Sequence, residues 1–303
     1  MVIGRLQREH EGGESQATSS AWAQVEAAQR EVRLPCLLVP QPAHAVLAGE
    51  LAACLLPARF GELPPEIKRA IQMHDTGWAS SDAQQIQRLR GPRISSSDAP
   101  PMATRAAFFE ESRMDFVDPT KLNRKSGGPQ AGHAAPISFV AVAPGEAMEA
   151  WTASVDSIEA LSKAGAIIVS RHFSLLAQHD PAPHLRFIQA EKSRQRRLEG
   201  STTKDGDKPT EGDLDRWTAA LGFCDLVSLY LLSGLSREVE FPLAHPASPQ
   251  AQTAPRVTMR IHGRHLHFTP ATARAGCTLS IQALKHPLPA QGPRAETLTW
   301  EVR

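Results

Sequence analysis

The chain has 303 residues, of which 41% are apolar and 21% charged, and its formal net charge is +1. These ordinary proportions argue against disorder of the whole chain and leave room for one large core, or for a core with an appendage. The balance of 33 basic and 32 acidic residues gives no electrostatic argument for binding nucleic acid or an anionic membrane.

The first residues, 1–33, are polar and rich in Ser, Gly and Gln. Glu9, Glu11 and Glu14 argue against a secretory signal peptide, which has a basic start and an apolar centre. Nowhere is there an apolar run of about 18 residues, so we predict no membrane span. The four cysteines form no CxxC pair, which argues against a zinc ribbon or a disulfide framework. We therefore predict a loose polar tail over 1–33 in a cytoplasmic protein.

Prolines mark the start of the first two predicted helices. Pro42 suits the first turn of a helix, and Leu47 and Leu51 follow at helical spacing on what is predicted to be its apolar face. The second helix begins near Pro65, and Ile71 lies on its apolar face. The chain after the polar tail therefore begins with a helical pair.

Beyond this pair, polar loops alternate with further helices. Loops are predicted where Ser, Pro, Gly and charged residues accumulate, at 79–102, 118–135 and 200–208. Helices are predicted at 103–114, 145–163, 164–178, 184–198 and 210–232. Strands are predicted from period-two alternation at 257–261, 266–268 and 298–302. The patterns predict a mainly α protein, with a helical domain over 34–235 and a small β-rich appendage over 236–303.

Four polar residues fall on predicted helix faces that otherwise point into a core. They are His44, His74, His172 and Asp225. Burying each ionisable group separately costs several kcal/mol unless the group is paired, whereas one shared divalent cation offsets that cost for all of them. Imidazole and carboxylate ligands suit Mn, Fe, Zn or Ni, with Mg possible if water and phosphate complete the shell.

The dipeptide His74-Asp75 is weak evidence by itself, because His179-Asp180 is a second copy. In context, however, the order His44, His74-Asp75 and Asp225 resembles the HD superfamily of metal-dependent phosphohydrolases, which is named for its His-Asp pair. More narrowly, four phrases in chain order resemble the bacterial domain-of-unknown-function family 3891: QPAHAVLAGELA from Gln41, HDTGWASSD from His74, VSRHFS from Val169 and DLVSL from Asp225.

This resemblance covers about residues 34–235 and implies an all-α, HD-domain-like helical bundle. It implies that the metal ligands are His44, His74, Asp75 and Asp225. It also places His172 where members with two metals carry an additional histidine.

Each of these residues has a plainer interpretation as well. A single histidine is more often a satisfied core or surface residue than a ligand. Asp225 can be a buried carboxylate paired with Arg171 or Arg216. Arg171 can bind a phosphate through its guanidinium or form an ordinary salt bridge. Asp82 can orient a ligand histidine or simply belong to a loop or a cap.

Further histidines are weaker candidates. His179 lies on the helix face of His172, and His133 lies in a Gly-rich loop, so either can supply an additional ligand. His265 and His267 share one predicted strand face. For that pair we prefer a solvated surface to a zinc site, because the neighbouring sequence supplies no cysteine or carboxylate.

The leading hypothesis is metal-dependent hydrolysis of a small phosphorylated molecule, either a phosphate ester or a nucleotide. The metal lowers the pKa of a bound water, and Asp75 or Asp225 helps to orient that water. Arg171 neutralises the charge that develops on the phosphoryl group. The candidate catalytic residues are therefore Asp75 and Arg171, and the cofactor is a divalent metal.

Two alternatives belong to other functional classes. One is a non-haem di-iron oxygenase in which His172, with His179 or His133, holds the second iron. The other is a catalytically idle, HD-like module that binds a small ligand, with the β-rich region mediating contacts. None of these three hypotheses includes nucleic acid or a membrane as a partner.

Overall fold

A computed structural model describes residues 2–5, 36–90, 138–139, 144–178, 181–200, 209–232, 238–286 and 294–303. The predicted helix at 103–114, the predicted loop at 118–135 and nearly all of the predicted tail at 1–33 lie outside these residues. Within the described ranges, strands occur near both ends of the chain, and most of the helices lie between them.

The helices begin where the local sequence supplies start signals. They are α1 (Gln41–Cys54), α2 (Pro57–Phe60), α3 (Pro65–Met73), α4 (Ala79–Arg90), α5 (Pro144–Glu159), α6 (Lys163–Ala177), α7 (Pro181–Gly200) and α8 (Glu211–Leu232). Proline occupies the first turn of α1, α2 and α3, where its missing N–H breaks no hydrogen bond. None of the helices in the described ranges has the length and apolar character that a membrane span needs.

One helix stands where the sequence predicts a loop. The segment 79–102 is predicted to be a loop from its Ser, Pro and Arg content, but α4 occupies Ala79–Arg90. These residues include no proline and no glycine, so the loop-forming composition belongs to the residues that follow. Trp78, which is buried, anchors the start of α4 in the core.

The strands form one mixed sheet. They are β1 (Val2–Arg5), β2 (Cys36–Val39), β3 (Ser138–Phe139), β4 (Val239–Pro242), β5 (Arg256–His262), β6 (His265–Thr269), β7 (Thr278–His286) and β8 (Ala295–Val302). Their spatial order is β3-β1-β2-β7-β8-β6-β5-β4. All neighbours are antiparallel except β6 and β8, which are parallel. Six strands thus run continuously from β2 to β4, and the short β1 and β3 extend the β2 edge.

This sheet shows that the predicted fold class is wrong. The protein is not a mainly α, HD-domain-like bundle with a small β appendage, because β2 near the start of the chain pairs with β7 near its end, Leu38 lying opposite Leu284. Period-two alternation shows that a segment is a strand but not which strand it pairs with. The alternation of Leu279, Ile281 and Ala283 with polar residues in β7 is the signal that could have revealed this missed strand.

Helices and strands share one hydrophobic core. Buried residues of both belong to a single cluster, which includes Leu47 of α1, Phe223 of α8 and Met259 of β5. A polar contact also joins α1 to β7, because the amide N–H of Ser280 donates to a carboxylate oxygen of Glu50 at 2.6 Å. The domain boundaries predicted at 33 and 235 stay predictions.

Candidate metal centre

Five buried ionisable residues meet where α1, α3, α6 and α8 converge. They are His44 of α1, His74 and Asp75 at the end of α3, His172 of α6 and Asp225 of α8, and none is more than 4% exposed. The sequence predicts these five as metal ligands, and the structure brings all of them together.

His44 lies between the two carboxylates. Its Nε2 is 2.8 Å from Oδ1 of Asp225, and its Nδ1 is 3.3 Å from Oδ2 of Asp75 and 3.2 Å from the carbonyl oxygen of Gln41. Burial by itself lowers the pKa of His44, but the hydrogen bonds and charges of Asp225 and Asp75 outweigh it and raise that pKa from 6.5 to about 9. The two carboxylates therefore favour a positive charge at this point in the core.

His74 directs a ring nitrogen at both carboxylates without a hydrogen bond to either. Its Nδ1–H donates to the carbonyl oxygen of Ile71 at 2.8 Å. Its Nε2 lies 3.5 Å from Oδ2 of Asp75 and 3.5 Å from Oδ1 of Asp225. This buried Nε2 has no hydrogen-bond partner among the described residues. In the neutral ring, Nδ1 carries the hydrogen and Nε2 therefore holds a lone pair.

A close-packed turn holds the His74-Asp75 pair in place. After α3 the chain enters a short 3-10 turn at Thr76–Trp78, where the amide N–H of Gly77 donates to Oγ of Ser154 at 2.9 Å. A Cβ at Gly77 would lie 2.0 Å from the carbonyl oxygen of Ala150. Only glycine can bring the turn this close to α5. Gly77 therefore helps to fix how His74 and Asp75 face the cluster.

Asp82 orients the helix that carries His44. Its Oδ2 accepts the amide N–H of Gln41, the first residue of α1, at 2.5 Å, and its side chain is buried. A carboxylate at a helix N-terminus satisfies a free amide and complements the helix dipole. The sequence left two roles open for Asp82, and its position supports both, since it caps α1 and thereby helps to orient a candidate ligand.

The donor set and its spacing fit a divalent cation. Two groups of three residues have ligand atoms within 4.8 Å of one another, namely His44 with His74 and Asp75, and His74 with His172 and Asp225. Bonds of about 2.0–2.2 Å to a zinc-like ion place neighbouring ligand atoms roughly 3.0–3.5 Å apart, and the 3.5 Å spacings around His74 agree. Backbone carbonyls behind His44 and His74 supply the outer hydrogen bonds that metal-bound imidazoles need. These groups can therefore hold a metal ion.

His172 faces the cluster with one nitrogen and a further histidine with the other. Its Nε2 is 3.8 Å from Oδ2 of Asp225, and its Nδ1 is 2.8 Å from Nε2 of His245. His245 lies in the turn after β4 and is buried, but nothing in its local sequence predicts a place in the site. The one available signal is spatial, because Gly222 of α8 makes room for it: a Cβ there would lie 2.7 Å from Cδ2 of His245.

Arg171, predicted to be catalytic, is engaged elsewhere. Its guanidinium pairs with Glu199 at 3.0 Å, Glu211 at 2.9 Å and Asp215 at 3.1 Å. Burial alone would lower the pKa of Arg171, but these carboxylates raise it. These ion pairs tie α6 to α7 and α8, and the structure does not bring Arg171 together with the five clustered residues. Arg216, the other arginine proposed for Asp225, pairs with Asp213.

The weaker histidine candidates do not join this cluster. His133 and His179 lie outside the described residues. His265 on β6 is 3.5 Å from Glu301, and His267 is exposed. In the described ranges, neither belongs to a group of three residues spaced for a metal ion.

Comparison with known protein families matches residues 29–93 and 128–280 to a family described as "Protein of unknown function (DUF3891)". No curated protein matches the chain. No solved structure matches it either.

Proposed function

The chain belongs to the DUF3891 family, described as proteins of unknown function, and we propose that it is a metal-dependent hydrolase of phosphate esters or nucleotides. In this proposal one divalent cation is held by His44, His74, Asp75 and Asp225. A relationship to the bacterial HD-superfamily enzymes is part of the proposal. Its support is the order of these residues along the chain, since the observed sheet differs from the bundle that the resemblance implies.

The metal site rests on one observation, which concerns the Nε2 atom of His74. It is buried, has no hydrogen-bond partner among the described residues, and lies 3.5 Å from oxygens of both Asp75 and Asp225. An unsatisfied buried polar atom costs about 1–3 kcal/mol. In the neutral ring the lone pair of Nε2 also faces two negative carboxylates, and this repulsion adds to the cost. A cation among the three atoms turns each of these unfavourable contacts into a favourable one.

A divalent cation at this position supplies two kinds of chemistry when bound: it lowers the pKa of a water and polarises a phosphoryl oxygen. The chain's own residues prepare the site for it. Asp75 and Asp225 provide the negative charge, while Gln41 and Ile71 hold the rings of His44 and His74 through their carbonyl oxygens. Imidazole with carboxylate suits Mn, Fe, Zn or Ni, with Mg possible if water and phosphate complete the shell.

The substrate class is proposed from the resemblance to phosphohydrolases. A small phosphorylated molecule in the cytoplasm is the expected substrate. Arg171 is left out of the proposed chemistry, because its guanidinium already pairs with Glu199, Glu211 and Asp215. Asp75 remains the candidate that touches both the metal and the attacking water.

Metal content measured on untagged protein tests the proposal. Wild type, His74→Ala and Asp225→Asn are expressed with supplemented Mn, Fe, Zn and Ni and analysed by plasma mass spectrometry. We expect about one metal per wild-type chain and none in either variant, because removing a ligand costs more than the roughly 10–100-fold of an outer-shell change. Phosphate release from a panel of nucleotides and simple phosphate esters is then measured on the loaded protein.

The matched control is His267→Ala, which removes an exposed histidine of β6 and should leave metal content unchanged. A wild-type protein that stays empty after supplementation would remove the metal site from the proposal. A loaded protein that releases no phosphate from any member of the panel would contradict hydrolysis and favour the ligand-binding alternative, which a ligand-induced rise in Tm would then support.

A further inference from the structure

The three histidines of the cluster all direct Nε2 toward Asp225, but the hydrogen bond made by Nδ1 is not the same in all three. His44 and His74 each place Nδ1 against a backbone carbonyl oxygen, at 3.2 Å for Gln41 and 2.8 Å for Ile71. A carbonyl oxygen can only accept, so Nδ1 carries the hydrogen in both rings. Because Nδ1 keeps its hydrogen, Nε2 is the nitrogen that can bind a cation in both rings, and in His44 the cation would replace the hydrogen that Nε2 now donates to Asp225.

In His172, by contrast, Nδ1 accepts a hydrogen bond, and the donor is His245. The amide N–H of Ala247 donates to Nδ1 of His245 at 3.1 Å. An amide nitrogen can only donate, so His245 Nδ1 holds a lone pair and its hydrogen is on Nε2. That N–H lies 2.8 Å from Nδ1 of His172 and donates to it. With Nδ1 accepting, the hydrogen of His172 is on Nε2, the nitrogen nearest Asp225.

We infer that His172 is a hydrogen-bond donor at the metal site and not a metal ligand, and that His245 is the positioning residue that holds it in this state. The inference rests on the proposed function, because it names the role of one residue of the same site. A nitrogen that carries a hydrogen has no lone pair for a cation. Its N–H instead suits an oxyanion, such as a phosphoryl oxygen of the substrate.

The same reasoning argues for one metal rather than two. A di-iron centre would need His172 as a ligand of the second ion. The two possible three-residue groups also share His74, so they describe neighbouring parts of one site. The four ligands that remain, His44, His74, Asp75 and Asp225, are sufficient for one ion, which can expand its coordination to take up water or substrate.

The position of His245 is built into the fold. Gly222 of α8 lies directly behind it, and a Cβ there would be 2.7 Å from Cδ2 of His245 and 2.6 Å from Cδ of Pro246. His245 is also only 4% exposed. The turn that follows β4 thus reaches the helical site, and it does so in a geometry that determines which nitrogen of His172 is protonated.

The direct test is a long-range proton–nitrogen NMR correlation on full-length protein with isotope-labelled histidine, recorded without metal and after loading with zinc. This experiment distinguishes a protonated ring nitrogen from a bare or metal-bound one. We expect His172 and His245 to remain in the Nε2–H state in both samples, and Nε2 of His74 to shift on zinc binding. A His172 ring with hydrogen on Nδ1 and a zinc-shifted Nε2 would overturn the inference.

Metal affinity supplies a second readout, by competition with a chromogenic chelator. We expect His172→Gln to bind zinc within about tenfold of wild type, the scale of an outer-shell change, whereas His74→Ala loses more than about a hundredfold. If His172→Gln lowers zinc affinity as much as His74→Ala does, the inference that His172 is not a ligand is also overturned. The comparison of His245→Gln, whose amide can still donate, with His245→Phe tests the positioning role: only the phenylalanine variant should release the Nε2–H state of His172.

Failure of the inference is distinct from failure of the proposed function. If the loaded wild type hydrolyses neither nucleotides nor p-nitrophenyl phosphate, the proposed function fails, while the NMR spectra still report the state of His172. If it hydrolyses them and zinc displaces the hydrogen from His172 Nε2, the inference fails and the proposed function stands.

Discussion

At the scale of single residues, three equally buried histidines differ because of what lies behind them. Backbone carbonyl oxygens behind His44 and His74 accept the hydrogen of Nδ1 and leave Nε2 as the nitrogen that can bind a cation, whereas a second histidine lies behind His172. Residue type and burial alone do not distinguish a ligand from a hydrogen-bond donor. The partner of the far nitrogen makes that distinction.

A change at Asp82 tests whether the orientation of α1 matters for metal binding, because it removes no candidate ligand. Asp82→Ala leaves the amide N–H of Gln41 without its acceptor, so we expect a loss of about 0.5–2 kcal/mol in the free energy of unfolding. We also expect metal affinity to fall by about tenfold, since α1 carries His44. Urea denaturation and chelator competition measure the two effects. Asp82→Asn retains an acceptor oxygen and should lose less of each; equal losses in both variants would contradict the cap.

Glu191 gives a prediction for the pH dependence of stability. Its side chain on α7 is 1% exposed, and burial raises the pKa of its carboxyl, an effect that the hydrogen bond with Ser170 and the charge of Arg194 offset only in part. The folded protein therefore holds this proton at a pH where the unfolded chain, with a pKa of 4.5, has lost it. The stability that this provides is present below pH 4.5 and is lost as pH rises through the folded pKa.

Glu191→Gln removes that loss, because the amide does not ionise. Relative to wild type, we expect the free energy of unfolding of the variant to increase as pH is raised from 4.5 toward neutrality. Urea denaturation at several pH values measures the difference. Glu240→Gln, at an exposed position of β4, is the control that should track wild type. A Glu191→Gln curve parallel to wild type across this range would contradict the prediction.

At the scale of elements, α8 contains two glycines with different surroundings. A Cβ at Gly222 would lie 2.6 Å from Pro246 and 2.7 Å from His245, whereas a Cβ at Gly212 would meet Arg216 at an ordinary 3.6 Å. We expect Gly222→Ala to lower the free energy of unfolding by about 1–3 kcal/mol through overpacking. Gly212→Ala should be neutral or stabilising by up to about 1 kcal/mol, since alanine favours the helix.

Thermal denaturation and histidine NMR compare these two variants. Gly222→Ala should also disturb the signals of His172 and His245, because the added methyl group pushes the turn after β4 away from α6. Gly212→Ala should leave those signals as in wild type. If both variants have the same stability and the same spectra, α8 and this turn are not packed as described.

At the scale of the whole molecule, the strands complete the core of the helices. Val257, Met259, Leu266 and Leu279 are fully buried, and each such side chain contributes about 1.5–3 kcal/mol when removed from water. Their sum is comparable with the roughly 5–15 kcal/mol by which a folded domain is stable. We therefore expect a chain that ends at residue 235 to lack a cooperative thermal transition and to bind no metal.

Co-expression of the two fragments, 1–235 and 236–303, is the matching control. If the strands are needed only as partners in the core, the second fragment should restore both folding and metal binding to the first. Circular dichroism melting and metal analysis measure the outcome. A folded, metal-binding 1–235 fragment would show instead that the helical region is independent, as the predicted domain boundaries imply.

The sequence by itself determined those features that depend on near neighbours along the chain. The helix starts at Pro42 and Pro65 follow from proline chemistry, and the inward positions of His44, His74 and Asp225 follow from helical periodicity. A polar residue on an apolar helix face must be satisfied by something inside the core, and this requirement is what brought these residues together as one predicted site. Period-two alternation likewise identified β5, β6 and β8 as strands.

Only the tertiary structure decided the features that depend on residues distant in sequence. The pairing of β2 with β7, which replaces a β appendage by a shared sheet, leaves no local trace, because alternation does not specify a partner. The carboxylates around Arg171 and the approach of His245 to His172 are likewise contacts between separate elements. The role of His172 was beyond the sequence for the same physical reason: its protonated nitrogen is selected by a hydrogen bond from another part of the chain.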